Sequence, residues 1–249
     1  HHSSPKIIIT NNKYLIKFKG INFIKNYGLC TFDNLILTWC KYPKLNKNIN
    51  KPIKPSTEAT LLYTSGTTGK PKGCVLSHEY EINAGYNYVN KKGLITIINS
   101  KEKIYNCLPV HHVNAGVLSF YAVLLSGNCQ IQAERFSASL FWKHIKESKA
   151  TIFHYLGVMA PILLKKKKSS YEKDNFLRLG VGAGIEPQLH KIFESRFKVP
   201  MVELWGMTEM VRCIFDHKKN RKIGQRCFGK PDKSLETKVI DSNGKSIYE

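Results

Sequence analysis

Between residues 103 and 205 the chain alternates short apolar segments with longer amphipathic ones, and this alternation limits the fold more than any other feature. The predicted strands are Lys103–Leu108, Cys129–Ala133, Thr151–Tyr155, Leu177–Gly182 and Met201–Trp205. The predicted helices are Asn114–Leu125, a helix from Ser137 or Ser139 through Lys146, Gly157–Lys168 and Pro187–Arg196. Strands that alternate with helices form a mostly parallel sheet flanked by helices on both faces. We therefore predict an α/β fold, in which ligands bind where the strands end.

Composition removes several classes of protein. The hydrophobic fraction of 42% argues against a disordered chain. No apolar run reaches the roughly eighteen residues that span a bilayer, and no secretory signal is visible, so we predict a cytoplasmic protein. The seven cysteines include no C-x-x-C pair, which argues against a zinc ribbon or a disulfide framework.

The net charge of +21 favours a nucleic-acid partner at first sight. The lysines are scattered, however, and no RNA- or DNA-binding motif accompanies them. The run Lys165–Lys168 is most simply an exposed helix end or loop. We therefore predict no specific nucleic-acid partner.

The richest local signal is the stretch Tyr63–Gly73, YTSGTTGKPKG, which follows the predicted buried strand Ala59–Tyr63. Its glycines let main-chain N–H groups converge on one point and form an anion nest. The donors, cations and glycines of this stretch are Thr64, Ser65, Gly66, Thr67, Thr68, Gly69, Lys70, Lys72 and Gly73. This density of donors predicts a polyphosphate-binding loop, with a solvated turn as the alternative. It is not a Walker loop, because Pro71 follows Lys70 where that motif needs Ser or Thr.

The loop is followed by a helix signal. Ser77 is a good N-cap for a helix over His78–Lys91, and Glu79 and Glu81 lie in its first turn.

A second polar cluster ends the last predicted strand, in the segment Glu203–Met210, ELWGMTEM. Trp205 can stack on a purine, and Gly206 lets a ligand approach the backbone. Thr208 can donate to a phosphate oxygen, and Glu209 can hold Mg²⁺ through a hard oxygen ligand. The alternative is a strand end followed by a capped helix, in which Thr and Glu are common.

Two weaker segments lie at other predicted strand ends. The small residues of Gly182-Ala183-Gly184 would let a flat base lie against the backbone, although taken alone they are better explained by a simple turn. The segment Leu108–Gly116 contains His112, which could also be a hydrogen-bonded core residue.

Taken together, these segments resemble the adenylate-forming superfamily of acyl-CoA synthetases, luciferase-like enzymes and peptide-synthetase adenylation domains. Tyr63–Gly73 is similar to the phosphate loop of that superfamily nearly letter for letter. Trp205–Glu209 matches its aromatic-Gly-x-Thr-Glu motif, with Trp where Tyr is more usual. His112 matches the histidine of a Leu-Pro-x-x-His segment that lies beside the acyl pocket in acyl-CoA synthetases. Glu134–Leu164 is similar to bacterial CoA ligases such as crotonobetaine/carnitine-CoA ligase and fatty-acyl relatives.

The resemblance implies a reaction and a set of ligands. A carboxylate attacks the α-phosphate of ATP to give an acyl-adenylate and pyrophosphate, and coenzyme A then displaces AMP. Thr208, Glu209 and His112 would be the catalytic residues, and Glu209 would bind Mg²⁺. The nucleotide would contact Thr64, Ser65, Gly66, Thr67, Thr68, Gly69, Lys70, Lys72, Gly182, Ala183, Gly184, Trp205, Gly206, Met207 and Thr208.

The resemblance also implies domain boundaries. We predict a tag remnant at residues 1–5, N-terminal strands and a linker at 6–56, a nucleotide-binding core at 57–235 and the start of a β subdomain at 236–249. Within the first part, Lys6–Thr10 is a predicted strand, Lys13–Lys19 and Phe32–Trp39 are strands or a strand and a short helix, and Lys41–Ser56 is a linker. Relatives have a ribose-binding Asp and an adenylate-contacting Lys beyond the matched region. We therefore expect little ligase activity from this chain alone.

Three alternatives stay open at this point. The chain could be a non-catalytic nucleotide-binding fragment, an amino-acid-activating domain, or a basic module that binds nucleic acid. The carboxylate substrate and the oligomeric state are not predicted.

Overall fold

A computed structural model describes residues 5, 7–18, 28–34, 52–65, 69–173, 175–233 and 235–247. The chain divides into two compact units, His1–Lys54 and Pro55–Glu249. In the first unit, β1 (Ile7–Thr10) pairs in parallel with β2 (Gly28–Thr31), and Asn12–Phe18 forms a 3₁₀ helix. The strand predicted at the start of this unit is confirmed. Most of Phe32–Trp39 and of the predicted linker Lys41–Ser56 lies outside the described residues.

The second unit begins with a hairpin. Strand β3 (Glu58–Thr64) pairs with β4 (Lys72–Ser77) in antiparallel register, so that Thr64 lies opposite Lys72. The prediction of a buried strand over Ala59–Tyr63 is wrong on burial, because Leu61 and Tyr63 point outward and are exposed. The predicted phosphate loop therefore connects two strands of a hairpin, and the helix begins only after β4.

The first helix is α1 (His78–Val89), and Ser77 caps it as predicted, with the side-chain oxygen accepting from the N–H of Tyr80. The buried carboxylate of Glu81 accepts from the hydroxyls of Thr60 and Tyr121. These two hydrogen bonds connect α1 to strand β3 of the hairpin and to the neighbouring helix. They therefore fix the position of the hairpin relative to α1.

Apart from the last strand of the sheet, which was not predicted, the remaining elements alternate as predicted. The strands are β5 (Lys103–Asn106), β6 (Cys129–Gln132), β7 (Ile152–Leu156), β8 (Leu179–Ala183), β9 (Met201–Met207) and β10 (Met210–Phe215). A π-helical turn over Asn114–Ser119 leads into α2 (Phe120–Ser126), and the later helices are α3 (Phe141–Ser148), α4 (Met159–Leu164) and α5 (Pro187–Phe197). The third of these five helices starts later than predicted, at Phe141, whose N–H donates to the carbonyl of Ser137.

The six strands β5 to β10 form one sheet in the order β10-β9-β8-β7-β5-β6. Every pair is parallel except β9 and β10. Because β6 and β7 lie on opposite sides of β5, the strand order reverses there, and ligands favour such reversal points at the carboxyl edge of a parallel sheet.

Alternate side chains of these strands pack into two cores. Tyr105, Phe153 and Met201 face one core together with residues of α3, α4 and α5. Ile104, Ile152 and Val202 face the other core, which α1 and α2 cover. Both faces of the sheet are therefore buried, and the predicted α/β class with helices on both sides is confirmed.

Several details differ from the sequence-based expectation. The residues after Met207 form a reverse turn and an antiparallel strand, so the capped-helix alternative for Thr208 and Glu209 is wrong. The predicted strand over Glu236–Asp241 is reduced to a single bridge between Ile240 and Ser246.

The exposed position predicted for the lysine run is confirmed in the described part of the chain. Lys165–Lys168 is exposed. The six described cysteines have free thiols. None of the described helices combines the length and apolar character that crossing a bilayer requires.

Candidate functional site

A cavity of about 450 Å³ lies at the carboxyl edge of the sheet, beside the end of β3. Its wall combines residues from the hairpin, from α1, from the segment after β5 and from the ends of β7, β8 and β9. The predicted site residues that line it are Thr64, Ser65, His112, Ala183, Gly206, Met207, Thr208 and Glu209. Segments that are far apart in the sequence therefore line the same cavity.

The Thr208-Glu209 pair forms the two-residue turn between β9 and β10, where Met207 pairs with Met210. Thr208 is almost fully buried, whereas Glu209 is exposed. The carbonyl of Thr208 accepts a hydrogen bond of 2.8 Å from the Tyr80 hydroxyl. Burial, reinforced by the nearby Cys213, Cys74 and Glu209, raises the pKa of Tyr80, so this phenol stays a donor at neutral pH.

The segment with small residues at the end of β8 is held by a buried carboxylate. An oxygen of Glu203 accepts from the N–H of Ile185 at 3.0 Å and from the hydroxyl of Tyr155 at 3.0 Å. The chain after β7 crosses this segment closely, since Gly157 N–H donates to the carbonyl of Ala183 at 2.7 Å. A Cβ at Gly157 would lie 1.7 Å from the carbonyl oxygen of Gly184, so only glycine fits there.

On the opposite wall, His112 is exposed and Asn114 is half-buried. The carbonyl of His112 accepts from the N–H of Gly116 at 2.9 Å, which anchors the start of the π-helical turn. π-helical turns within helices are often found at functional sites.

The other predicted residues that the structure describes do not line the cavity. Trp205 stacks on Phe228 with a centroid separation of 5.9 Å and 28° between the rings. Gly182 is buried, and Gly184, Gly69, Lys70 and Lys72 are exposed. Gly66, Thr67 and Thr68 lie outside the described residues. The contact of Trp205 with a purine stays a prediction.

Some lining residues were not predicted from the sequence. They include Tyr80, Asn114, Leu118, Tyr155, Leu204 and Cys213. Asn114 could have been found from its position two residues after His112, and Tyr80 from its place in the first turn after the loop. The others belong to regular elements, in which apolar and aromatic residues are usually core residues.

A metal ion at this site would depend on few protein ligands. Glu209 is the acidic residue on the cavity wall. No group of three or more His, Cys, Asp or Glu side chains in the described ranges could form a metal cage. One carboxylate suits Mg²⁺, which commonly keeps several waters and binds through one or two carboxylates plus the phosphates of its substrate.

Comparison with known proteins agrees with this geometry. The family model described as AMP-binding enzyme matches residues 1–248. The chain belongs to the AMP-binding enzyme family. The superfamily inferred from the phosphate loop is thus confirmed, while the closer likeness to crotonobetaine/carnitine-CoA ligase stays a prediction.

The chain spans only part of the length of two similar proteins. It is 29% identical over 197 residues to a sulfoacetate–CoA ligase of Cupriavidus necator, covering 78% of this chain and 37% of that protein. It is 31% identical over 153 residues to a very long-chain fatty acid transport protein of Cochliobolus heterostrophus, covering 60% of this chain and 23% of that protein. The chain thus spans about a quarter to a third of these two relatives.

A solved structure of ATP-bound MatB from Rhodopseudomonas palustris has the same fold. The TM-score is 0.78 at 19% identity, over 99% of this chain and 49% of that one. The match covers about half of the MatB chain, and at this identity it shows a shared fold.

Proposed function

We propose that this chain is the nucleotide-binding part of an ATP-dependent acid–thiol ligase, which activates a carboxylate as an acyl-adenylate and transfers it to coenzyme A. One observation supports this most directly. Thr64 and Ser65, at the start of the phosphate loop, line the same cavity as the turn Thr208-Glu209. A nucleoside triphosphate in that cavity would reach hydroxyl donors on one side and a carboxylate for Mg²⁺ on the other.

The residues then have distinct tasks. Hydroxyls of Thr64 and Ser65 donate to the phosphate oxygens, and Lys70 and Lys72 add positive charge around the pyrophosphate that leaves. Thr208 donates to the α-phosphate, and the buried hydrogen bond from Tyr80 keeps its backbone in place. In-line attack then depends on positioning and charge neutralisation, and no protein nucleophile is needed.

Mg²⁺ fits the carboxylate of Glu209, and when bound it would supply positive charge that offsets the phosphates. The base would lie on Ala183 and the neighbouring glycines, with Trp205 beside them. His112 lies on the wall near the carboxylate substrate. The cytoplasmic location predicted from the sequence stays a prediction, as does the absence of a nucleic-acid partner.

The inner wall indicates the type of acid. Ala84, Leu118, Leu204, Tyr155 and Cys213 give it an apolar surface. A second charged group in the substrate would lose its hydration at this inner wall. No opposite charge among the described residues of the inner wall would compensate for that loss. A monocarboxylate with an apolar tail therefore fits best, and an amino acid fits less well.

The test is ATP–pyrophosphate exchange by the protein with a panel of carboxylates that includes fatty acids, sulfoacetate and amino acids. We expect exchange that is slow but measurable, requires Mg²⁺ and is fastest with apolar monocarboxylates. A thermal-shift screen of this chain tests binding separately, because ATP that binds only the folded state raises its melting temperature. ATP binding without exchange for any acid would favour the non-catalytic alternative. Robust exchange by residues 1–249 alone would contradict our expectation that the isolated chain has little activity.

A further inference from the structure

Behind the cavity wall, a network of buried polar groups surrounds the side chain of Asn114. His154 is fully buried, with its Nδ1 2.7 Å from Asn114 Oδ1 and its Nε2 3.1 Å from the hydroxyl of Tyr88. Asn106 is also fully buried, and its Nδ2 lies 3.2 Å from the same oxygen of Asn114 and 3.0 Å from Ser119 Oγ. Asn114 is thus held from two sides by groups that cannot reorient toward water.

The direction of each hydrogen bond follows from one backbone contact. The N–H of Leu108 can only donate, and it lies 2.9 Å from Oδ1 of Asn106. The other end of that amide is therefore its nitrogen, which donates to Asn114. The Asn114 atom in the network must then be its oxygen, so His154 Nδ1 holds the ring proton and Nε2 accepts from Tyr88.

The histidine is neutral in this arrangement. Complete burial lowers the pKa of His154 to about 3, so at pH 7 the ring has one donor and one acceptor. Both are used, one by Asn114 and one by Tyr88. The ring cannot rotate without leaving two buried partners unsatisfied, which costs about 1–3 kcal/mol for each group.

With its oxygen engaged, Asn114 has only its Nδ2 group left for a ligand. Nδ2 donates no hydrogen bond to any residue in the described part of the chain, and Asn114 is one of the residues that line the cavity. Val113 and Leu118, its neighbours on the wall, are apolar. The phosphate donors Thr64 and Ser65 come from the hairpin instead, so Asn114 belongs to the acyl side of the cavity.

We propose that Asn114 Nδ2 donates to the oxygen of the substrate carboxylate that does not attack phosphorus, and that His154 is the positioning residue that keeps this donor turned toward the cavity. The inference rests on the proposed function. The other carboxylate oxygen forms the bond to the α-phosphorus as pyrophosphate leaves. The oxygen bound by Asn114 becomes the carbonyl oxygen of the acyl-adenylate, and no proton is transferred at Asn114.

The experiment measures formation of acyl-hydroxamate from ATP, a carboxylate and hydroxylamine, with KM determined separately for the acid and for ATP. In Asn114→Asp the oxygen that faces His154 is kept and the donor is replaced by a second oxygen, which repels a carboxylate. We expect the KM of the acid to rise about 10- to 100-fold or more, with the KM of ATP within about twofold of wild type. Asn114→Ala should raise the KM of the acid by a similar factor.

Two further variants separate positioning from folding. His154→Leu removes the donor to Asn114, whereas His154→Asn keeps an amide nitrogen near the position of Nδ1 and should restore much of the lost affinity for the acid. Ser119→Ala is the matched control, because it disturbs the same network on the side away from the cavity. It should lower the melting temperature and leave both KM values unchanged.

The outcomes distinguish the two claims. If wild-type protein forms no acyl-hydroxamate with any acid, the proposed function fails and this inference falls with it. If wild type is active and folded Asn114→Asp has an unchanged KM for the acid, the inference alone is overturned. It is also overturned if His154→Leu and His154→Asn lower stability without changing the KM of the acid.

Discussion

The phenolic oxygen of Tyr155 lies 3.0 Å from a carboxylate oxygen of Glu203, and both side chains are buried directly beneath the cavity. Burial, together with the charge of Glu203 and its hydrogen bond, raises the pKa of Tyr155. The tyrosine is therefore protonated and donates. Because the same carboxylate oxygen accepts from Ile185 N–H, one acidic group connects the ends of three neighbouring strands.

Removal of this carboxylate should loosen the edge of the sheet. Glu203→Ala leaves the Tyr155 hydroxyl and the Ile185 N–H without an acceptor, at a cost of about 1–3 kcal/mol for each buried donor. We expect a lower free energy of unfolding in urea and a higher KM for ATP, because Ala183 moves with Ile185. Glu203→Gln keeps an acceptor oxygen and serves as the control. Equal ATP affinity for Glu203→Ala and wild type would argue against this role.

Gly69 should be required for its backbone conformation. Its φ is +77°, and a Cβ there would meet no protein atom within 4 Å. A larger residue at this position would therefore be disfavoured only by the left-handed backbone conformation, which costs residues other than glycine about 1–2 kcal/mol. Gly69→Val should raise the KM for ATP strongly, and Gly69→Asn should raise it less, because Asn tolerates this conformation. Lys70→Ala should have a moderate effect. Identical KM values for all three variants and wild type would contradict the loop assignment.

Glu209 should set the requirement for magnesium. Glu209→Gln removes the carboxylate on the cavity wall, so we expect the Mg²⁺ concentration for half-maximal exchange to rise about tenfold or more, with the melting temperature unchanged. Glu79→Gln, an exposed glutamate in the first turn of α1, is the matched control. A Glu209→Gln enzyme with a wild-type Mg²⁺ dependence would show that the metal is held elsewhere.

Stability should depend on an ion pair at the opposite edge of the sheet. Arg178 Nη2 lies 2.6 Å from Oε1 of Glu102, whose side chain is 2% exposed. Arg178→Ala would leave a buried charge without its partner and should cost about 3–5 kcal/mol in urea denaturation. The KM for ATP should not change in the fraction that folds, since this pair precedes β5 and β8 and the ligands bind where strands end. A loss of less than about 1 kcal/mol would show that water or another cation replaces the arginine.

Acid should destabilise the protein partly through His154. The pKa of this ring is about 3 in the folded state, against 6.5 for an ordinary histidine. As pH falls below 6.5, the unfolded chain takes up a proton that the folded chain does not, so stability decreases by up to about 1.4 kcal/mol per pH unit until pH approaches 3. Urea unfolding between pH 7.5 and 5 should show a smaller slope in His154→Asn than in wild type. Parallel slopes would mean that the ring takes up a proton equally readily in the folded and unfolded states.

The elements with long, regular patterns were predictable from the sequence. The apolar segments Thr151–Tyr155 and Met201–Trp205, which alternate with helical segments, correctly indicated strands buried on both faces. Ser77 correctly marked the start of a helix. The hairpin partner Lys72–Ser77 was missed because a short strand after a Gly- and Pro-containing loop has no distinct period. The strand Met210–Phe215 was missed because Thr and Glu occur in tight turns as well as in helix caps.

The functional residues of the site were predictable only where several polar residues lie close together in the sequence. Thr64, Ser65, Thr208 and Glu209 stood out because polar groups are dense in their segments. Glu203 did not, since the groups that donate to it are set by how strands from distant parts of the chain align. A single buried polar residue has a role only through its neighbours in space, which no local pattern records.

The π-helical turn at Asn114–Ser119 has a consequence for the evolution of this chain. Such a turn holds one residue more than regular helical geometry needs. Deletion of one residue within it would restore a continuous helix, but it would rotate whatever precedes the deletion by about 100° around the axis. The helix could then no longer keep its apolar face on the sheet while the Asn114 amide faces the cavity. Homologues that lack this extra residue should therefore have found a different group to take the place of Asn114.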